Sequence, residues 1–257
     1  MVEDAGPTDA SVTTIVHPTA VIGMGVSLGA GVKIGPLAVL TGPLQVGDGV
    51  WIGAGSVIGA PPEVTSARMN LAWDGDLAHA GVVIESDAVV REGVIIHQGT
   101  HRPTRVGPGA WLLNRCYLAH DVLVGDGAVV SGGVSIGGHC TIGAGANIGM
   151  NAAVHQRRVV GPGAMVGMST AVTRDVPPFA LVHGSPPRLR DVNSYALRRA
   201  GHGADVIEAL RAAYGADADL AAVHPEGVLE VLADELGWWA GLVDLCPVRV
   251  AIYAADA

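Results

Sequence analysis

An aliphatic residue recurs at every sixth position along much of this chain, and this period restricts the fold more than any other feature. The step of six passes through twelve consecutive aliphatic positions from Val106 to Val172, and an earlier series with the same step begins at Val16. Six is neither the period of a helix nor the alternation of an ordinary strand. The pattern therefore predicts a triangular coil, in which each six-residue segment forms one side.

Glycine and small aliphatic residues provide what such a coil requires. The chain has 37 glycines in 257 residues, whereas only 4% of its residues are aromatic. Glycine relieves backbone strain at corners, and small aliphatic side chains fit inside a narrow prism. Three sides make a turn of about 18 residues, and neighbouring turns pair as parallel strands roughly 4.8 Å apart. We therefore expect an all-β solenoid, a parallel β-helix, over residues 1–192.

Two stretches leave the repeat. Residues 60–81 are predicted to loop out of the solenoid, and residues 97–105 form a smaller excursion. Long loops on a rigid scaffold usually serve function.

Helical periodicity replaces the repeat near the C-terminus. We expect a helical domain over residues 193–257, which caps the solenoid or packs on a neighbouring subunit. The predicted helices are 194–200, 204–214 and 225–236. The apolar tail that follows residue 236 is ambiguous between helix and strand.

Charge and cysteine content argue against several classes of function. The net charge of −9 gives no electrostatic basis for binding nucleic acid or an anionic membrane. The first twelve residues lack the apolar segment of a secretory signal. Charged residues and a proline interrupt the apolar stretch near 238–254, so we expect no membrane span. The three cysteines lack a paired metal-ligand spacing, which favours free thiols in a reducing cytoplasm.

Three histidines fall near one edge of the predicted prism, on successive coils. His120, His139 and His155 lie one to three residues after stacked inward positions. Two coils span only about 10 Å. A neutral imidazole is a good general base near pH 7, and Asp121 is placed to orient the ring of His120. We therefore expect a groove along this edge, in which a histidine deprotonates a hydroxyl or amine that attacks an acyl thioester.

Other interpretations of these histidines stay open at this stage. Each is also compatible with an ordinary solvent-exposed turn. A three-histidine zinc site, as in β-helix carbonic anhydrases, is a second alternative. The paired histidines on one strand that such a site uses are missing, because Tyr117 stands three residues before His120. We expect neither a metal nor a cofactor. Since no serine or cysteine elbow is evident, direct transfer is favoured over an acyl-enzyme.

Five short motifs connect the chain to a known family. They are REGVIIHQGT at 91–100, LAHD at 118–121, AVHQ at 153–156, DVPPFAL at 175–181 and the following NSYALRRAG. In order and spacing they resemble those of the UDP-N-acetylglucosamine O-acyltransferases of lipid A biosynthesis. The resemblance implies a left-handed β-helix, a homotrimer with active sites between subunits, and a cytoplasmic enzyme. It also implies an acyl-carrier-protein thioester as donor and a small-molecule acceptor.

The resemblance also implies roles for individual residues. His120 becomes the general base with Asp121 as its partner. Gly138 becomes the oxyanion donor through its N–H, with His139 beside it. The implied substrate-binding residues are His97, Tyr117, His155, Gln156, Met168, Asn193 and Arg199.

Three of these implied contacts concern particular parts of the substrates. The family measures its acyl chain at the position of Met168, where a bulky residue implies a short- to medium-chain acyl group; 3-hydroxyacyl groups are among the candidates. Methionine is also a common filler of apolar cores. Arg199 falls where the family contacts the carrier protein, and Asn193 falls at a nucleotide contact.

The acceptor-binding positions depart from the family pattern. Asn70 and Ala72 stand where the family has an acidic residue and a lysine, and Tyr117 replaces a second histidine. At two further contacts the chain has Tyr195 and Ala200. We therefore expect a sugar or nucleotide-sugar-like acceptor that need not be UDP-N-acetylglucosamine.

Two alternative functions remain. GSPPRLR at 184–190 resembles a turn of transferases of this fold that use acyl-CoA, so acyl-CoA is an alternative co-substrate to the carrier-protein thioester. A non-catalytic trimeric scaffold is the other alternative, and the retained LAHD motif argues against it.

Overall fold

The computed structural model describes residues 13–65, 79–215, 223, 225–242 and 244–250. The solenoid predicted from the sequence is present, and a C-terminal region follows it. Most sides of the coil are strands of only two residues, and the strands stack into three sheets. The fold is a left-handed parallel β-helix with a small helical region at its C-terminus.

The three sheets contain every strand of the described residues. The first sheet consists of β1 (Ile15–Val16), β4 (Lys33–Ile34), β7 (Trp51–Ile52), β10 (Val89–Val90), β13 (Trp111–Leu112), β16 (Val129–Val130), β19 (Asn147–Ile148), β22 (Met165–Val166), β24 (Ala180–His183), β25 (Arg188–Val192) and β26 (Arg249–Val250). The second consists of β2 (Val21–Ile22), β5 (Val39–Leu40), β8 (Val57–Ala60), β11 (Ile95–His97), β14 (Tyr117–Leu118), β17 (Ser135–Ile136), β20 (Ala153–Val154) and β23 (Ala171–Val172). The third consists of β3 (Val26–Leu28), β6 (Leu44–Val46), β9 (Val82–Ile84), β12 (Thr104–Val106), β15 (Leu123–Val124), β18 (Thr141–Ile142) and β21 (Val159–Val160).

The register of the sheets places each residue above the one 18 positions earlier along the uninterrupted part of the coil. Leu118 pairs with Ile136, and Ile136 pairs with Val154. All three side chains point into the prism and are buried. Because every inward position stacks on another inward position, the outward neighbours also form straight rows on the surface.

Two strands of the solenoid flank the loop predicted over residues 60–81. The second sheet's strand β8 ends at Ala60, and the third sheet's β9 begins at Val82. Residues 66–78, which include Asn70 and Ala72, lie outside the described residues, as do the N-terminal residues 1–12.

The C-terminal region begins with a hairpin that closes the last coil. The strand β24 continues the parallel first sheet, and β25 returns antiparallel to it. Two helices follow, α1 (Ser194–Arg199) and α2 (Ala204–Tyr214), close to their predicted bounds. Strand β26 of the tail then pairs with β25. No helix in the described ranges is long and apolar enough to cross a membrane.

The prediction of a single helix over 225–236 was wrong in its bounds. A 3₁₀ turn over Gly227–Leu232 precedes α3 (Ala233–Ala240). Gly227 has a φ of +57°, which a right-handed helix does not use, so the helix cannot begin at Pro225.

Asp175 joins the last coil to the tail. Its carboxylate accepts hydrogen bonds from the Val159 N–H at 2.8 Å, the Cys246 N–H at 2.6 Å and Arg158 Nη1 at 3.0 Å. The side chain is only 2% exposed. One carboxylate therefore connects Asp175 to backbone groups that are 16 and 71 residues away in the sequence.

We predict that Asp175→Ala lowers the free energy of unfolding by about 2–3 kcal/mol, because it leaves a guanidinium and two N–H groups without their partner. Urea unfolding measures the change. Asp126→Ala, at an exposed turn of an earlier coil, is the control and should shift the midpoint little. Equal midpoints for the two variants would contradict the role of Asp175.

Candidate active site

A groove of about 510 Å³ lies on the outer face of the second sheet. Its floor consists of the outward residues of four successive strands, Tyr117, Ser135, Ala153 and Ala171. The corner that follows these strands forms one wall, where His120 and His155 lie. Another depression, of about 580 Å³ on the third sheet, is lined by no histidine, so the chemistry predicted from the sequence belongs to the first groove.

His120 and Asp121 form a hydrogen-bonded pair at this corner. Nδ1 of His120 lies 2.7 Å from Oδ2 of Asp121. The imidazole is 15% exposed, whereas the carboxylate is fully buried. The ring packs against Gly138, where an added Cβ would lie 2.6 Å from Nε2. Residue 138 must therefore be glycine for the ring to take this position, and Nε2 is left on the side of the groove.

The excursion at 97–105 wraps around the Asp121 carboxylate. Oδ1 accepts the N–H groups of His101 at 2.8 Å and Arg102 at 3.0 Å. Oδ2 accepts the Thr100 N–H at 3.0 Å and its hydroxyl at 2.7 Å. The guanidinium of Arg102 also donates to the carbonyl oxygen of Asp121. Five donors, counting the imidazole of His120, thus fix the carboxylate.

These bonds determine the charge of Asp121. Burial alone would raise the pKa of this carboxyl, but the bonds from Arg102, His101, Thr100 and His120 outweigh burial and hold the pKa well below its usual range. Asp121 is therefore a carboxylate at neutral pH. The sequence pointed to the Asp121–His120 pair, but it gave no sign of the loop donors except that residues 97–105 leave the repeat.

His139 lies beside the pair, as expected. Its ring centroid is 4.9 Å from that of His120 in an edge-on arrangement, and its Nδ1 lies 3.9 Å from Oδ2 of Asp121. Burial lowers the pKa of His139; the negative charge of Asp121 opposes this shift, and the positive charges of Arg157 and Arg102 add to it. His101, which the sequence analysis did not select, stacks on His139 with 6.0 Å between centroids.

His120, Asp121 and His139 also offer three potential metal-ligand atoms within 4.8 Å of one another. A ligand set needs free lone pairs directed at one point. Both oxygens of Asp121 are already occupied by hydrogen bonds, and Nδ1 of His120 faces one of them. The donor set therefore fits a hydrogen-bonded catalytic pair better than a zinc site.

Two other predicted residues line the groove further along the coil. His155 lies on the coil after Gly138, and its Nδ1 is 3.2 Å from the carbonyl oxygen of Gln156. Gln156 stacks in the corner above Gly137, where an added Cβ would approach its backbone nitrogen to 2.7 Å. The groove thus combines residues from coils separated by 18 positions.

Tyr117 lies at the end of the groove nearest the N-terminus, and His97 contacts it without lining the groove. The Tyr117 hydroxyl donates to Oε2 of Glu63 at 2.9 Å, and the ring of His97 meets the Tyr117 ring edge-on at 5.2 Å. Burial and the bond to Glu63 raise the pKa of Tyr117, whereas burial lowers the pKa of His97. Glu63 lies in the loop insertion, and the sequence analysis missed it because nothing in its spacing connects it to residue 117.

Three further predicted substrate contacts, like His97, do not line the groove of a single chain. Met168 is 67% exposed at the corner before β23. Asn193 caps α1, accepting from the Ala196 N–H and donating to the Gly163 carbonyl oxygen. Arg199 is exposed at the end of α1. Their roles toward substrate stay predictions.

Comparisons with known proteins agree with this architecture. The family model described as UDP N-acetylglucosamine O-acyltransferase, domain 2, matches residues 175–216, and the bacterial transferase hexapeptide model (six repeats) matches residues 103–138. In solved structures, the chain resembles the Arabidopsis UDP-N-acetylglucosamine acyltransferase with 26% identity and a TM-score of 0.65, covering 79% of this chain and 80% of that one.

Two relatives extend the match over most of the sequence, and both are named acyl-[acyl-carrier-protein]–UDP-N-acetylglucosamine O-acyltransferase. The one from Synechocystis is 34% identical over 178 residues, which cover 68% of this chain and 62% of the relative. The one from Syntrophobacter fumaroxidans is 35% identical over 204 residues, which cover 78% of this chain and 76% of the relative. The chain therefore belongs to the UDP-N-acetylglucosamine O-acyltransferase family of hexapeptide-repeat acyltransferases.

Proposed function

We propose that this enzyme transfers an acyl group from an acyl-carrier-protein thioester to a hydroxyl or amine of a sugar or nucleotide-sugar-like acceptor. The observation that carries the proposal is the 2.7 Å contact between His120 and a charged, buried Asp121 at the edge of the groove. The names of the relatives supply the donor and the class of acceptor. Carrier-protein donors are thereby favoured over acyl-CoA, and catalysis is favoured over a scaffold.

His120 acts as the general base in this proposal. Because Asp121 can only accept, Nδ1 of His120 carries the proton and donates it, which leaves the lone pair of Nε2 facing the groove. Nε2 takes the proton of the acceptor hydroxyl or amine as that atom attacks the thioester carbonyl carbon. When the carbon–sulfur bond breaks, the same nitrogen returns the proton to the departing thiol.

The oxyanion of the tetrahedral intermediate needs a hydrogen-bond donor. The Gly138 N–H donates to no acceptor within the described part of the chain, and Gly138 packs against the His120 ring. We assign this N–H to the oxyanion. Ser135 and Thr173 line the groove without a hydrogen bond to an imidazole, and burial raises the pKa of the Cys116 and Cys140 thiols. These features support direct transfer without an acyl-enzyme and without a cofactor.

A homotrimer would complete the site. Met168, Asn193 and Arg199 do not line the groove of their own chain, so in this proposal they reach substrates bound at a subunit interface. Arg199 then contacts the acidic carrier protein, and Asn193 the nucleotide portion of an acceptor that has one. We also propose a cytoplasmic location, in keeping with carrier-protein thioesters as donors and with the free thiols of all three cysteines.

We predict that His120→Ala lowers kcat for acyl transfer by about 10²–10⁴-fold, because it removes the base while leaving the groove intact. The assay follows acyl transfer from acyl carrier protein to UDP-N-acetylglucosamine and to other UDP-sugars. His183→Ala, at an exposed position of the first sheet, is the matched control. Unchanged transfer in His120→Ala would exclude His120 as the base.

Asp121 gives a prediction for the pH dependence of stability. Its pKa in the folded chain is below the unfolded value of about 3.9. Its contribution is therefore complete above that value and declines as pH falls toward the folded pKa. Asp121→Asn should unfold at a lower urea concentration than wild type at pH 7. The difference between the two urea midpoints should become smaller at pH 3–4. A difference in urea midpoint that does not change with pH would show that the charge of Asp121 does not cause the stabilisation.

Met168 gives a prediction for the acyl donor. Met168→Gly should shift preference toward longer acyl chains in a competition between carrier-protein donors of different length, because it removes an exposed bulky side chain that would meet the acyl chain at the proposed subunit interface. Met150→Gly, in the stacked position one coil earlier, shows whether any loss of methionine at this corner has the same effect. An unchanged chain-length profile in Met168→Gly would reject the assignment.

A further inference from the structure

The floor of the groove changes in polarity along the coil axis. Its outward residues are Tyr117, Ser135, Ala153 and Ala171 in successive strands. These four positions span about 14 Å. Hydroxyl groups occupy the end nearest the N-terminus, and methyl groups occupy the other end. An acyl chain would bury its methylenes at the alanine end, so the polar acceptor belongs at the end with Tyr117.

The position of His120 agrees with this orientation. His120 is on the same coil as Tyr117, three residues further along, which corresponds to roughly 10 Å of extended chain. Both side chains line the groove. A sugar whose reacting group faces Nε2 of His120 can therefore direct its other groups to the Tyr117 end.

Glu63 closes this end of the groove. Oε2 accepts a hydrogen bond from the Tyr117 hydroxyl, and Oε1 accepts none from the described residues. The ring of His97 supports Tyr117 from the other side. A carboxylate with free lone pairs accepts hydrogen bonds from O–H and N–H groups and repels other anions.

We propose that Glu63 and Tyr117 form the part of the acceptor site that binds hydrogen-bond donors of the acceptor, its hydroxyl or amino groups, and disfavours anionic groups there. This proposal rests on the acyltransferase function and narrows its acceptor. The phosphates of a nucleotide acceptor then lie elsewhere, because Glu63 would repel them. Glu63 acts on specificity, and the chemical step stays with His120.

The test compares three ligands that share one ring and differ in charge: the methyl glycosides of glucosamine, glucose and glucuronate. Dissociation constants are measured on the full chain by ligand-observed NMR. In wild type, the cationic glycoside should bind roughly tenfold more tightly than the anionic one. Glu63→Gln should bring the two within about twofold, because it keeps the shape and removes the charge.

Two further variants distinguish the effect of the Glu63 charge from a general loss of binding. Glu230→Gln, an exposed position of the C-terminal region, should keep the wild-type preference. Tyr117→Phe removes the donor to Glu63 and should weaken all three ligands while leaving the order of affinities. The proposal is overturned if wild type shows no preference for the cationic over the anionic glycoside, if no glycoside binds, or if Glu63→Gln keeps the preference.

A parallel acyl-transfer assay distinguishes this proposal from the proposed function. If wild type transfers an acyl group and Glu63→Gln raises the KM for the acceptor but not for the donor, both are supported. If transfer occurs and Glu63→Gln leaves the acceptor KM unchanged, the acceptor site is placed wrongly. If wild type transfers to no acceptor while the charge preference is present, the acyltransferase assignment fails and the binding site stands.

Discussion

The stacking of aliphatic side chains inside a narrow prism is the constraint on which the rest of the structure depends. Each inward residue, such as Ile136, contacts the inward residues of the coils before and after it, and the interior excludes water. Burial of these side chains is the main favourable term in folding. Since the inward rows must stay in register, the outward rows stay in register as well. The packing of the core therefore aligns the residues on the floor of the groove, and no additional structural element is needed to align them.

The second requirement is a fixed carboxylate at a corner of the coil. Asp121 takes a φ of +60°, a conformation that short polar residues tolerate at turns. An ionised carboxylate buried at such a corner is unfavourable unless donors surround it. The excursion that contains Thr100 and Arg102 provides those donors. Core packing thus positions the coil, and one short loop makes the buried charge possible, which in turn sets the tautomer of His120.

The sequence was sufficient for the fold because its period repeats many times. A step of six over twelve positions identifies the inward face without any tertiary information, and the frame it sets places His120, Gly138 and His139 at one corner. The sequence was not sufficient to predict contacts made by irregular segments. Glu63 meets Tyr117 through a loop whose path no periodicity specifies, and the helix predicted from Pro225 fails at a glycine conformation that composition alone does not reveal. The groups that the sequence missed are those held by loops.

This division between coil and loops bears on how such an enzyme changes its acceptor. The proposed base, its carboxylate and the proposed oxyanion N–H occupy fixed corners of the solenoid, where substitution would disturb the stacked rows. Glu63 belongs to the insertion between Ala60 and Val82, and loops on a rigid scaffold tolerate changes in length and sequence. Specificity for the acceptor can therefore diverge while the chemistry is retained. The hydrogen bond from Tyr117 on the coil to Glu63 in the insertion shows how a loop residue sets the surroundings of a coil position.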